Sequence, residues 1–275
     1  MAKLTKIETK LHLEAVELLT QDHLSEDEKD FVLAHWQESA NHVNGQAGAF
    51  FTPLDLAYDF ALDVGNGRVI DLCAGIGTLA LAKWRRQAYD RSNGAAPVDI
   101  VCVEINPAYV AIGQKIVPEA TWICASIFDL PDLGHFDYAM ANPPFGNLTT
   151  DGAAPRYTGA GFEYKVIDIA AELADFGTFI IPQGSCPFTY SGKSDYREVE
   201  TAKYGRFQDQ TGITLEPGIG VDTSYYCNQW HGVSPVIEIV TADFTERTRT
   251  TASASEGAGT LEAGTQGVLE LEFAA

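Results

Sequence analysis

Basic side chains are scarce in this chain. Against 38 Asp and Glu stand 18 Lys and Arg, which leaves a formal net charge of −20. Residues 1–48, 49–182, 183–250 and 251–275 are each net acidic, so no segment offers the broad cationic face that displaces counterions from a polyphosphate. Cysteine is sparse as well. Cys73, Cys102, Cys124, Cys186 and Cys227 are odd in number, widely spaced and mostly set in apolar runs. That pattern excludes a disulfide framework and reads as reduced thiols in a cytoplasmic protein. His12, His23, His35, His42, His135 and His231 show no ligand spacing to one another or to these thiols, and no metal site is expected. No apolar run is long enough to cross a bilayer, and Met1-Ala2-Lys3-Leu4-Thr5-Lys6 leads into a charged amphipathic segment rather than a secretion signal. Internal repeats are absent.

What is present suffices for one large domain with extensions, since 45% of the 275 residues are hydrophobic. Residues 1–48 read as an N-terminal helical region, with two or three helices over 4–43. Leu11, Val16, Leu18 and Leu19 supply apolar positions there, and Ser25-Glu26-Asp27-Glu28 forms a capped start before Phe31, Val32 and Trp36. Residues 49–182 alternate strand and helix, which predicts an α/β fold with a parallel sheet covered on both faces. Residues 183–235 are rich in Gly, Tyr and Ser and lack clear periodicity until Gly212-Ile213-Thr214-Leu215-Glu216. Pro235-Val236-Ile237-Glu238-Ile239-Val240-Thr241 then reads as a closing strand. The domain is thus expected over 49–249, with 183–235 as a substrate-contacting insertion and 250–275 as a flexible acidic tail.

Chemistry is concentrated at predicted strand ends. Val69-Ile70-Asp71-Leu72 runs into Cys73-Ala74-Gly75-Ile76-Gly77 and then an apolar helix start. The glycines allow a tight turn and close approach to a ligand, and the missing third glycine disfavours a pyrophosphate. An acid before the glycines, Asp71, can hold a cationic amino group. Glu104 ends the next strand, where ribose hydroxyls are held in such sheets, and Asp129 follows the third strand, where an acid can accept from an adenine amino group. After the apolar run Phe136 to Met140 comes Ala141-Asn142-Pro143-Pro144-Phe145-Gly146. An Asn followed by two prolines makes a rigid loop whose amide and carbonyl oxygens can both face one NH₂ group.

These motifs resemble, in their order, those of the S-adenosylmethionine-dependent amino-methyltransferases, and within them the DNA adenine N6-methyltransferases. The run Gly48-Ala49-Phe50-Phe51-Thr52-Pro53 is similar to the element such enzymes place before the cofactor strand, Gly177 to Ser185 resembles their fifth strand and its exit, and the order is that of the γ group, which includes modification subunits of type I systems. The resemblance covers about residues 46 to 186, with a weaker echo to 244. It implies a class I, Rossmann-like, mostly parallel seven-stranded sheet with an antiparallel closing strand. It implies S-adenosylmethionine as cofactor, held by Phe51, Thr52, Pro53, Asp71, Ala74, Gly75, Gly77, Glu104 and Asp129. Asn142, Pro143, Pro144 and Phe145 match the catalytic loop.

The acceptor implied is the exocyclic N6 of adenine in DNA, with a base in a duplex flipped out to reach the site. Lys193, Arg197, Lys203 and Arg206, interleaved with Tyr190, Tyr196, Tyr204 and Phe207, form the one aromatic-basic cluster and are candidate substrate contacts. Tyr225, Tyr226 and Trp230 are candidates for a second wall against the base, or for ordinary packing. Sequence recognition is expected from 1–48, 146–165, 183–235 or a partner subunit, and self-association is open. Related families that methylate protein glutamine or an RNA base use similar loops, and the acidic surface also fits a non-catalytic protein that retains the fold.

Overall fold

The computed structural model describes residues 4–37, 50–92, 98–145, 148, 150 and 152–246. The predicted tail 250–275, the end of the N-terminal region, and Gly48, Ala49 and Gly146 of the motifs lie outside the described residues. Two short helices come first, α1 (Lys6–Leu18) and α2 (Glu26–His35), each opened by a capping box in which Thr5 exchanges hydrogen bonds with Glu8, and Ser25 with Glu28. The inward face of α1 carries His12 and Ala15, whereas Val16, expected inside, is 40% exposed. Helix α3 (Leu54–Phe60) follows, and then strand and helix alternate: β1 (Arg68–Leu72), α4 (Thr78–Ser92), β2 (Asp99–Glu104), α5 (Pro107–Ile116), β3 (Thr121–Cys124), β4 (Phe136–Ala141), α6 (Phe162–Leu173) and β5 (Ala174–Pro182). A two-residue hairpin of β6 (Phe188–Thr189) and β7 (Arg197–Glu198) precedes α7 (Ala202–Thr211), and β8 (Ile237–Asp243) closes the fold.

The main sheet has the order β3-β2-β1-β4-β5-β8, parallel except for β8. Side-chain alternation sorts its core into two layers. Val69, Ile100, Cys102, Met140, Ile180 and Ile239 face α1 to α5, while Ile70, Leu72, Val101, Val103, Phe179, Ile181 and Val240 face α6 and α7. Helices therefore cover both faces, as the alternating pattern requires.

The seven-stranded expectation is corrected here: among the described residues the sheet has six strands. Ile213 to Glu216 runs beside β8 where a seventh would lie, with Ile213 and Leu215 buried, yet it forms one antiparallel bridge, Glu216 to Thr241. Gly212 takes a left-handed φ of 69° to end α7, and Pro217 has no N–H to continue the ladder, so the pairing stops after one residue. The aromatic-basic cluster is likewise divided among a turn (Lys193), β7 (Arg197) and α7 (Lys203, Arg206).

Glu238 of β8, 1% exposed, fixes the chain leaving β5. Its carboxylate accepts hydrogen bonds from Gln183 Nε2 (2.7 Å), the Tyr190 and Ser191 backbone N–H groups (2.8 and 2.9 Å) and Ser191 Oγ (2.7 Å). Removing the acceptor strands several buried donors at once. Glu238→Leu should lower unfolding free energy by about 3 kcal/mol. Urea denaturation followed by circular dichroism checks this, and an unchanged midpoint would show that the loop does not depend on the carboxylate.

Candidate active site

All five parallel strands end at one edge of the sheet, and the strand order reverses between β1 and β4. Ligands of such sheets bind in the crevice that this reversal opens. The turn after β1 and the Asn-Pro-Pro loop after β4 both begin there.

Three residues of the β1 turn have positive φ: Cys73 at 65°, Gly75 at 57° and Gly77 at 93°. A Cβ on Gly75 would lie 3.1 Å from the Phe51 ring, and one on Gly77 would lie 3.1 Å from Trp122. Conformation thus favours glycine at both points, and the space for a side chain is tight. Ala74 donates its N–H to the Val103 carbonyl at 2.9 Å. Glu104, 7% exposed, accepts from Gly75 N at 2.9 Å with one carboxylate oxygen and from Asn106 N at 2.8 Å with the other. It joins the turns after β1 and β2.

Asp71 has no exposed surface, and neither carboxylate oxygen has a hydrogen-bond partner. Burial, and then the neighbouring Glu104, push its acidity well above the usual carboxylate range; the nearby Ala80 N–H opposes this without reaching hydrogen-bond geometry. Burial, then Glu104 and Asp71, also raise the Cys73 thiol, which stays protonated. Asp129, after β3, is exposed, and its N–H closes a turn onto Ser126 O at 3.0 Å.

The second half of the site is a strap, Phe50 to Pro53, that enters before β1 and reaches the end of β4. Asn142 Nδ2 donates to Phe50 O at 3.0 Å and to Thr52 Oγ1 at 2.9 Å. Asn142 Oδ1 is buried and unpartnered. Pro143 is buried, Pro144 and Phe145 are half-buried, and the Phe145 ring lies 6.3 Å from that of Phe50. Thr52 and Pro53 are buried, and Phe51 rests against Trp36 and Tyr109 at centroid distances of 5.6 and 5.3 Å. The N-terminal helices hold that packing in place. Arg85 of α4 binds Glu26 at 2.8 Å and Asp30 at 2.5 Å, and Lys115 of α5 donates to Gln21 O.

The structure thus brings together Phe51, Thr52, Pro53, Ala74, Gly75, Gly77, Glu104 and the Asn142 to Phe145 loop along one edge, with Asp71 beneath it. The cationic candidates have other engagements. Lys203 Nζ binds Glu163 at 2.5 Å and Ser185 Oγ at 2.8 Å, Arg206 donates to Thr158, and Arg197 pairs with Asp195 on the surface, where Lys193 is exposed. Of the aromatic wall candidates, Trp230 is buried, Tyr226 binds Asp59 through its hydroxyl, and Tyr225 is 82% exposed. Sequence reading missed the Phe50 carbonyl, for which no side-chain signal exists, and the backing by Trp36 and Tyr109. Among the described residues no group of His, Cys, Asp and Glu is placed to hold a metal, and no helix is long and apolar enough to cross a membrane.

No protein-family model matches the sequence, and no curated protein does. Among solved structures, a protein assigned as a class I S-adenosylmethionine-dependent methyltransferase from Listeria monocytogenes superposes with a TM-score of 0.56. The match has 13% identity over 87% of this chain and 75% of that one. The chain has the class I methyltransferase fold. The methyltransferase subunit of a type I restriction-modification system from Streptococcus thermophilus shares this class I fold with a TM-score of 0.51. It is 14% identical over 83% of this chain and 52% of the subunit's own length. At these identities the likeness is one of architecture.

The buried Asp71 gives this class I sheet a pH signature. Unfolded, the carboxyl titrates near 3.8; folded, it titrates higher. Between those values the folded state holds a proton that the unfolded state has lost, so stability falls as pH rises. Asp71→Asn removes that dependence and should gain stability on the wild type from about pH 4 toward neutrality. Parallel pH profiles of unfolding free energy for the two proteins would contradict the assignment.

Proposed function

We propose that this chain is an S-adenosylmethionine-dependent N-methyltransferase whose acceptor is the exocyclic N6 of adenine in DNA. The observation that carries the proposal is Asn142 Oδ1, a buried hydrogen-bond acceptor without a donor, at the end of the central strand β4. Leaving such an atom unpaired costs about 1–3 kcal/mol, a cost removed by a ligand that brings an N–H. Motif order and the Phe-Thr-Pro strap support adenine as that ligand.

The residues present fit the cofactor. Gly75 and Gly77 supply the left-handed backbone of a tight turn at the sheet edge, and Glu104, each of whose oxygens can accept more than one hydrogen bond, would hold the ribose hydroxyls. Phe51, Pro53 and Ala74 would line the methionine end, Asp71 would set the charge beneath it, and Asp129 would accept from the adenine amino group. When bound, S-adenosylmethionine supplies an electrophilic methyl group on a cationic sulfur.

The adenine amino nitrogen is a weak nucleophile because its lone pair is delocalised into the ring. Hydrogen bonds from its NH₂ to Asn142 Oδ1 and the Pro143 carbonyl would favour the pyramidal nitrogen that can attack. Pro144 would keep the loop rigid, and Phe145 would stack on the base. The nitrogen would gain the methyl group as the carbon–sulfur bond pair returned to sulfur, which would leave as the neutral thioether of S-adenosylhomocysteine, and the nitrogen would lose a proton to solvent. Positioning and oriented dipoles supply the acceleration, with no strong base needed. Lys193 and Arg197 are the proposed phosphate contacts, Lys203 and Arg206 acting with them where their present partners yield. A partner subunit or a second copy would provide sequence selection. The charge of −20 favours a second reading, a glutamine side-chain amide on a basic protein, which also offers NH₂ to Asn142.

Incubating the purified chain with methyl-labelled cofactor and, separately, DNA, RNA and a protein extract identifies the acceptor. Label in N6-methyladenine from DNA is the expected result. Label in glutamine or in RNA selects the related chemistries, and cofactor binding without transfer to any of them leaves a non-catalytic protein. Asn142→Ala should reduce turnover by about a hundredfold while cofactor affinity, read by calorimetry, stays within a few-fold. Equal loss of both would assign Asn142 to holding the cofactor turn instead.

A further inference from the structure

The amide of Asn142 could in principle sit either way round, because its oxygen and nitrogen occupy nearly the same space. Its surroundings decide between the two. Phe50 O, 3.0 Å away, is a carbonyl and can only accept, so the group facing it has to be the NH₂. Thr52 Oγ1, 2.9 Å away, takes the other amide proton. Both donors of the amide are then used, and the acceptor Oδ1 is turned to the opposite side, where it lacks a partner.

We infer that Thr52 is a positioning residue for Asn142: with the Phe50 carbonyl, its hydroxyl locks the amide so that the site presents an acceptor and selects a substrate that donates N–H. This rests on the proposed amine methylation. It departs from the role that resemblance implies for Thr52, a contact to the cofactor, because the hydroxyl is engaged by the catalytic amide. The same strap carries Phe51 against Gly75, so one four-residue segment touches the cofactor turn and orients the catalytic group. It also accounts for Asn at 142. A carboxylate there would set an oxygen about 3 Å from the Phe50 carbonyl, an acceptor facing an acceptor.

Thr52 is 6% exposed, and Val has nearly its shape, so Thr52→Val removes the acceptor with little change in volume. Thr52→Ser restores it. The first measurement is independent of any substrate: nuclear magnetic resonance of the Asn142 side-chain amide, identified by its disappearance in Asn142→Ala. In the wild type both amide protons should exchange slowly. In Thr52→Val exchange should accelerate by about tenfold, and Thr52→Ser should return it toward wild type. Unchanged exchange in Thr52→Val overturns the inference whatever the acceptor proves to be. The second measurement is methyl transfer. Thr52→Val should lower kcat by about tenfold, with cofactor affinity and substrate KM within twofold, and Thr52→Ser should recover kcat. Parallel loss of cofactor affinity and kcat assigns Thr52 to the cofactor and overturns the inference. A wild type that transfers no methyl group to adenine overturns the proposed reaction instead, while the amide-exchange result still decides the role of Thr52.

Discussion

A carbonyl oxygen cannot donate a hydrogen bond, and the site is organised around that fact. Phe50 O turns the Asn142 amide one way, and everything that carries Phe50 to its place serves this single orientation. The strap is held from outside by Trp36 and Tyr109, and the helices that carry Trp36 are fastened by Arg85 to Glu26 and Asp30. The N-terminal region is therefore part of the site's support rather than an appendage to the sheet. On the other side of the crevice, Glu104 does for the turn after β1 what the strap does for the Asn142 loop. Its two oxygens take one backbone N–H from each of two turns, which fixes the glycines relative to the end of β2.

Both halves depend on charges and dipoles set in low-dielectric surroundings. Asp71 lies one layer below the turn, without hydrogen bonds and beside Glu104, an arrangement unfavourable to two negative charges. A cation brought to the turn would relieve that repulsion. The orphaned oxygen of Asn142 stands in the same condition with opposite demand, since it lacks a donor rather than a positive charge. Unmet polar capacity is costly in a protein interior, and Asp71 and Asn142 place part of it at one sheet edge.

Most of the fold was legible because the strands carry strong, regular patterns. Val69 to Leu72 and Asp99 to Glu104 are short apolar runs ending in turn residues, and burial on both faces is what a parallel sheet demands. The turn after β1 was legible for a similar reason, as Gly75 and Gly77 mark backbone conformations that other residues resist. The closing strand is β8, and the sheet falls one strand short because Ile213 and Leu215 alternate correctly but are bounded by Gly212 and Pro217, which permit burial without a ladder. Lys193, Arg197, Lys203 and Arg206 fall on three different elements, and three of the four already have polar partners. Lys203, though exposed, is paired with the buried Glu163 on a helix 40 positions earlier. Long-range partners of that kind, like the backbone carbonyl of Phe50, leave no local trace.

Sequence separation divides the site in time as well as in space. The bond from Gly75 to Glu104 closes 29 residues, whereas those from Asn142 to Phe50 and Thr52 close 92 and 90. Closing the longer loop from an open chain costs about 1 kcal/mol more in chain entropy. Its partners also come together only when β4 has entered the sheet beside β1, although the strap is made first. A folding chain can assemble the turn of Gly75 and Glu104 while the Asn142 amide is still free to point either way.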